Sequence, residues 1–189
     1  MSIHLEIQTL TADQLEAELA NILAAPRERG RVSTIVIRPG KDERLLPESV
    51  RLGRDIGVEG DRWAKSDWLR LPDGSPDPRV QVSLINARLL RAIAVRDERL
   101  CLAGDNLVVD FDLSEANIRP GQKLAVGEAS IEITDVPHNG CRKFAARYGK
   151  DAANFINFIE HRSLRLRGLY ARVVVGGIVR VGDVVAKDS

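Results

Sequence analysis

The alternation of apolar and polar positions divides the chain into a helical opening and a strand-rich remainder. In "TADQLEAELANILAAP", Leu15, Leu19, Ile22 and Leu23 recur at helical spacing, Thr11 and Gln14 stand in capping-box register, and Pro26 closes the run. The pattern predicts an amphipathic helix that packs on a body or a partner. From residue 31 the texture becomes β-branched. "RVSTIVIRP", bounded by Gly30 and by Pro39-Gly40, reads as a strand, and so does "VQVSLIN" at 80–86. Asn86 is placed to cap a short helix, with Leu89, Leu90 and Ile93 inward and Arg88 and Arg91 outward. "LVVDFDL", "KLAVG", "ASIEITDV" and "YARVVVGGIVRVGDVVAK" follow as short strands, and Gly176-Gly177 reads as a hairpin turn. Such close spacing predicts a mainly β fold with peripheral helices, an antiparallel barrel that is closed or nearly closed. A late helix is expected in "AANFINFIEHR", capped by Asp151, with Phe155, Phe158 and Ile159 on one side.

Two regions follow: an N-terminal helical extension over 1–29 and a barrel domain over 30–189. One segment, 57–79, holds both tryptophans and three prolines, with Asp and Arg recurring through it. A connection of that length is either a lid or binding loop, or a surface elaboration that meets a partner.

Composition narrows the function classes. Lys plus Arg number 28 against 27 for Asp plus Glu, so no global charge favours nucleic acid or an anionic membrane, and any basic function is local. Aromatic residues are 4% of the chain, too few for a stacking platform on single strands. No apolar stretch approaches a membrane span, and "MSIHLEIQTL" lacks the basic and apolar regions of a leader, so the expectation is a cytoplasmic protein. Cys101 and Cys141 do not form a disulfide-framework pattern.

The candidate chemistry concentrates in "PHNGCRKFAARYG". A cysteine acts as nucleophile or soft ligand in its thiolate form, and neighbouring cations lower its pKa from a reference of roughly 8.5. Arg142, Lys143 and Arg147 follow Cys141, and His138 precedes it. Gly140 leaves room for a ligand to approach the backbone. The competing reading is a small buried hydrophobe with basic neighbours. Cys101, between leucines in "RLCLAG", reads as core packing. His4, His138 and His161 lie far apart, and the H-x-x-C spacing of His138 and Cys141 has no second ligand pair beside it. No nucleophile elbow, phosphate loop or dinucleotide fingerprint is present. Asn106 in "AGDNLVV" reads as a turn residue, or as an amide presented with local N–H groups to an anion.

Four ordered stretches resemble the MOSC family, the domain found at the C-terminus of molybdenum cofactor sulfurases and as stand-alone bacterial proteins: "IGVEGDRW", "AGDNLVVDFDL", "IRPGQKLAVGEASIEITDVPHNGCRKF" and "GLYARVVVGGIVRVGDVV". The resemblance implies a MOSC-type closed or nearly closed β-barrel and a molybdenum cofactor (molybdopterin). It also implies either sulfur transfer through a cysteine persulfide or reduction of N-hydroxylated compounds at a cysteine-ligated molybdenum. Cys141 takes the family cysteine, as catalytic residue and molybdenum ligand; Asn106, Arg142, Lys143 and Arg147 take cofactor-facing positions. The implied enzyme is a molybdenum-dependent oxidoreductase or a sulfurtransferase with a small-molecule substrate, served by a cysteine desulfurase or an electron-transfer partner. The alternative is a non-catalytic carrier of the cofactor or of another anionic small molecule. The chain departs from many relatives where Trp63 replaces histidines after the G-D-R run, and where Gly140 replaces a proline before the cysteine.

Overall fold

Seven strands close on one another around an apolar interior. In the computed structural model, which describes residues 9–188, the chain opens with α1 (Ala12–Leu23), β1 (Arg29–Ile35), β2 (Ser49–Gly53) and β3 (Gly57–Val58). Then come β4 (Val82–Asn86), α2 (Ala87–Ala94), β5 (Leu107–Asp110), β6 (Lys123–Val126) and β7 (Ala129–Ile133). The last part contains α3 (Arg142–Tyr148), α4 (Lys150–Asn157), β8 (Leu169–Val175), β9 (Gly177–Arg180) and β10 (Val184–Lys187). The barrel runs β1-β10-β6-β7-β8-β4-β5 and closes from β5 to β1. Its pairs are antiparallel except β4 with β5, which run parallel because α2 and a 3-10 turn cross over between them.

The apolar run of β4 is explained by burial on both faces. Val82 and Leu84 point into the barrel, while Ile85 points into a second core made with the helices. β5 does the same, with Leu107 and Val109 inside and Val108 outside. The helices cover that outer face: Leu15 and Ile22 of α1, Leu89 and Ile93 of α2, and Phe155 of α4 share one cluster. The expected caps are present. Thr11 and Gln14 form the reciprocal capping box, and Asn86 Oδ1 accepts from the N–H groups of Arg88 and Leu89.

Local expectations are corrected at Gly176-Gly177 and at both ends of α4. Gly176-Gly177 does not turn a hairpin, because β8 stays in the barrel while β9 joins a separate sheet, β3-β2-β9. The glycines serve close approach instead: a Cβ at 176 would lie 2.9 Å from the Leu52 carbonyl oxygen, and one at 177 would lie 2.4 Å from that of Glu128. α4 is entered through Gly149 (φ 94), not capped by Asp151, which sits in its first turn. α4 also ends at Asn157, so Phe158 and Ile159 fall beyond it and stay 47% and 63% exposed. The 57–79 segment is not structureless. It holds β3, two 3-10 turns and an Arg70–Pro76 bridge, and buried Trp63 anchors it by donating Nε1–H to the Asp77 carbonyl at 3.2 Å.

Candidate functional site

At one mouth of the barrel the G-D-R and G-D-N stretches meet. The Asp61 side chain is wholly buried and takes a forked ion pair from Arg38, Nε to Oδ2 at 2.8 Å and Nη2 to Oδ1 at 3.0 Å. The backbone N–H groups of Arg38 and Trp63 also donate to Asp61. Asn106, fully buried, spans the network. Its Nδ2 donates to Asp61 at 3.0 Å and to the Val36 carbonyl at 3.3 Å; its Oδ1 accepts from Arg38, from the Ser83 N–H and from the Ser83 hydroxyl, each at 3.1 Å. The Asn106 amide is thus spent inside the protein. It holds Arg38 and Asp61, and Arg38 in turn lines a cavity of 140 Å³ with Arg62, Ser66, Trp68 and Tyr170.

Behind Tyr170 lies a second buried polar group. Arg167 Nη1 donates to Asp105 Oδ2 at 2.7 Å, and His138 Nδ1 stands 3.7 Å from Asp105 Oδ1. Burial, followed by the Arg167 and Arg38 charges, holds the His138 pKa well below its ordinary 6.5, so the ring is neutral and the contact is not an ion pair. Burial also raises Asp105, against the pull of Arg167. His138 stacks on Tyr170 at 4.1 Å, and Tyr170 meets the half-exposed Trp68 at 5.2 Å. Among the described residues, Asp105 Oδ1, His138 Nδ1, Arg167 Nε and Arg44 Nε are buried without hydrogen-bond partners. Arg44 is pushed below the ordinary guanidinium range first by burial and then by the nearby charges of Arg147 and Arg38.

Cys141 is exposed, and Cys101 is half-buried with its thiol directed at the Glu98 carbonyl at 3.7 Å. Cys141 caps the N-terminus of α3 in an extended conformation, and its side chain makes no capping bond. The thiol is close enough to Tyr170 to add, after burial and Asp105, to the upward shift of the phenol. Arg142 and Lys143 are exposed in the first turn of α3. Cations at a helix N-terminus oppose the helix dipole by a few tenths of a kcal/mol, so helix stability does not explain them. Arg147 faces elsewhere, with Nη1 on the Leu102 carbonyl at 2.9 Å and Nη2 on Asp42 at 3.1 Å.

Of the residues singled out in the sequence, Cys141, Arg142 and Lys143 therefore share one exposed turn. Arg147 joins the Arg44 cluster, and Asn106 lies inside the barrel mouth. At Gly140 an added Cβ would meet Ile156 Cδ1 of α4 at 2.7 Å. Sequence reasoning missed Arg38, Arg44, Asp105, Arg167 and Tyr170. Asp105 stood inside the quoted G-D-N block and Tyr170 inside "GLYARVVVGGIVRVGDVV", which were the available signals. A larger cavity of 710 Å³ lies on the α4 side of the 137–140 connection, walled by His138, Gly140, Asn157 and Arg162; Cys141 lines neither cavity.

The chain is thus a closed strand barrel with Arg38 and Arg62 at one mouth and an exposed thiol at the start of α3. Residues 77–186, more than half of the chain, match the MOSC domain family, and the chain belongs to it. Among solved structures, the YuaD protein from Bacillus subtilis aligns over 83% of this chain and 94% of its own, with TM-score 0.58 and 19% identity. YiiM from Escherichia coli aligns over 84% and 70%, with TM-score 0.52 and 20% identity. YiiM from Geobacillus stearothermophilus aligns over 85% and 75%, with TM-score 0.55 and 15% identity. At these identities the likeness establishes the fold. No curated protein matches the chain. No helix among the described residues is long and apolar enough to cross a membrane.

Proposed function

We propose that this protein binds the molybdenum cofactor at the barrel mouth, with the Cys141 thiolate as the protein's ligand to the metal. The observation that carries this reading is an exposed thiol at the start of α3 that makes no capping bond, in a barrel whose mouth cavity is lined by Arg38 and Arg62. The residues fit such a group. Thiolate is a soft ligand suited to a sulfur-rich centre, and the cofactor's phosphate is anionic, matching guanidinium donors. Among the described residues no cluster of three or more His, Cys, Asp or Glu side chains could hold a metal ion, so a metal would rely on the cofactor's own sulfur atoms plus one thiolate.

Cys141, Arg142 and Lys143 would face the cofactor from the turn at the start of α3, and Arg38 and Arg62 from the mouth. Asn106 acts one step back, holding Arg38 directly and through Asp61. The 57–79 segment brings Trp68 and the buried anchor Trp63 to the same rim, where Trp68 would shield a bound molecule from water. The bound cofactor supplies a centre able to exchange an electron pair. Reduction of an N-hydroxylated compound consumes that pair and protons and releases water, so an electron-transfer partner is required. In the sulfur-transfer form of the same reading, Cys141 holds a persulfide delivered by a cysteine desulfurase, and nearby cations stabilise the departing thiolate.

The protein is purified from cells that make the cofactor, and molybdenum content and persulfide labelling are measured for wild type and Cys141→Ser. Molybdenum dependent on Cys141 supports ligation; labelling dependent on Cys141 without molybdenum moves the reading to sulfur transfer. Equal values of both in the two proteins would end the proposal.

A further inference from the structure

The residue before Cys141 is gripped through its backbone by a single side chain. The Gly140 N–H donates to Asn157 Oδ1 at 2.9 Å, and Asn157 Nδ2 donates to the Gly140 carbonyl at 3.2 Å. One amide therefore satisfies both polar groups of one residue, which fixes the orientation of the chain there as well as its position. Asn157 is the last residue of α4, and α4 is itself immobilised by Ala152, Phe155 and Ile156, all buried in the helical core. A Cβ at 140 would lie 2.7 Å from Ile156 Cδ1 and 2.9 Å from Asn157 Nδ2, so the clamping amide itself would have to shift.

On the other flank, the Cys141 carbonyl accepts from the N–H groups of Phe144 at 2.9 Å and Ala145 at 3.1 Å, which ties the same residue into α3. Cys141 is thus held by backbone bonds on both sides while its thiol is left unbonded and exposed. A side chain on a connection is ordinarily free to sample several directions, and a reacting group gains from being confined to one.

We propose that Asn157 is a positioning residue for Cys141: its amide clamp on Gly140 sets the direction in which the thiol leaves the fold. The purpose of this device rests on the role given to Cys141 above, whereas the device itself can be tested without cofactor. Asn157 is exposed, so its replacement leaves the core intact.

In a Cys101→Ser background, a nitroxide label is attached to Cys141 and its mobility is read by electron paramagnetic resonance, together with hydrogen exchange at the Gly140 amide. Asn157→Ala is expected to speed label motion about threefold and Gly140 exchange about tenfold, since the clamp is then absent. Asn157→Asp keeps an acceptor for the Gly140 N–H but loses the donor to its carbonyl, so it falls between the two. Gly140→Ala pushes the clamp apart and loosens the label to a similar extent; combined with Asn157→Ala, the effects do not add. A label on Cys101 in a Cys141→Ser background does not respond. Unchanged label motion and exchange in Asn157→Ala overturn the proposal, and so does equal loosening at Cys101, which would mark general destabilisation. Equal molybdenum in wild type and Cys141→Ser would instead remove the role of the thiol while leaving these readouts as they are.

Discussion

At the barrel mouth, Asn106 is fully buried and both ends of its amide are consumed by Arg38, Asp61, Ser83 and Val36. Around the corner, Cys141 is exposed, its thiol makes no capping bond, and only its backbone is held. Both residues stand in stretches that resemble the same family, yet they do different work. The Asn106 network builds the rim and shapes where arginines point. The thiol loop presents an exposed side chain that makes no capping bond. A residue in a family motif can therefore be part of the frame or part of the chemistry, and burial with hydrogen-bond accounting separates the two.

This contrast predicts unequal mutational costs. Asn106→Ala should destabilise the protein by about 3 kcal/mol, because it removes a donor from buried Asp61 and the acceptor of Ser83 together. Urea unfolding measures it; a loss well under 1 kcal/mol would erase the distinction between frame and thiol loop. Asn157→Ala, whose bonds lie at the surface, should cost about 1 kcal/mol or less by the same measurement. Cys141→Ser should stay within about 0.5 kcal/mol, as expected for an exposed side chain with no partner.

The polar group behind Tyr170 sharpens the comparison through pH. His138 has its folded pKa depressed below the ordinary 6.5, so the unfolded chain binds a proton that the native state refuses. Its contribution to stability is present above about pH 6.5 and is lost as pH falls below that value. Asp105 works in the opposite sense: its folded pKa is raised above the ordinary 3.8, so its contribution is present at low pH and lost as pH rises through the folded value. His138→Phe keeps a ring on Tyr170 and removes the first effect. Between roughly pH 7 and 5 this variant should lose less stability than wild type, measured as the urea midpoint. An identical slope in both would mean that His138 takes up its proton in the native state.

How much of this was legible in the sequence depends on the range over which each signal acts. The caps at Thr11 and Asn86 act over three residues or fewer, and both stand where the pattern put them. The β-branched runs identify strands, but their partners are set by the whole barrel, so Gly176-Gly177 looked like a hairpin when it marks a crossing between sheets. The same limit applies to the site. Cys141 stood out by its cationic neighbours and Asn106 by the family resemblance, while their opposite burial was not legible. Arg38, Asp105 and Arg167 come from three separated segments, each locally ordinary, and only the fold brings them to one mouth. Gly140 was read as room for a ligand, and the contact with Asn157 of α4 was not legible because the two are 17 residues apart.

The most direct test of the central claim is the native mass of protein purified from cells that make the cofactor. Wild type and Cys101→Ser should carry a non-covalent molybdenum-containing adduct that Cys141→Ser lacks. An adduct of equal abundance in Cys141→Ser, or none in wild type, would contradict the assignment of Cys141 as the ligand at this mouth.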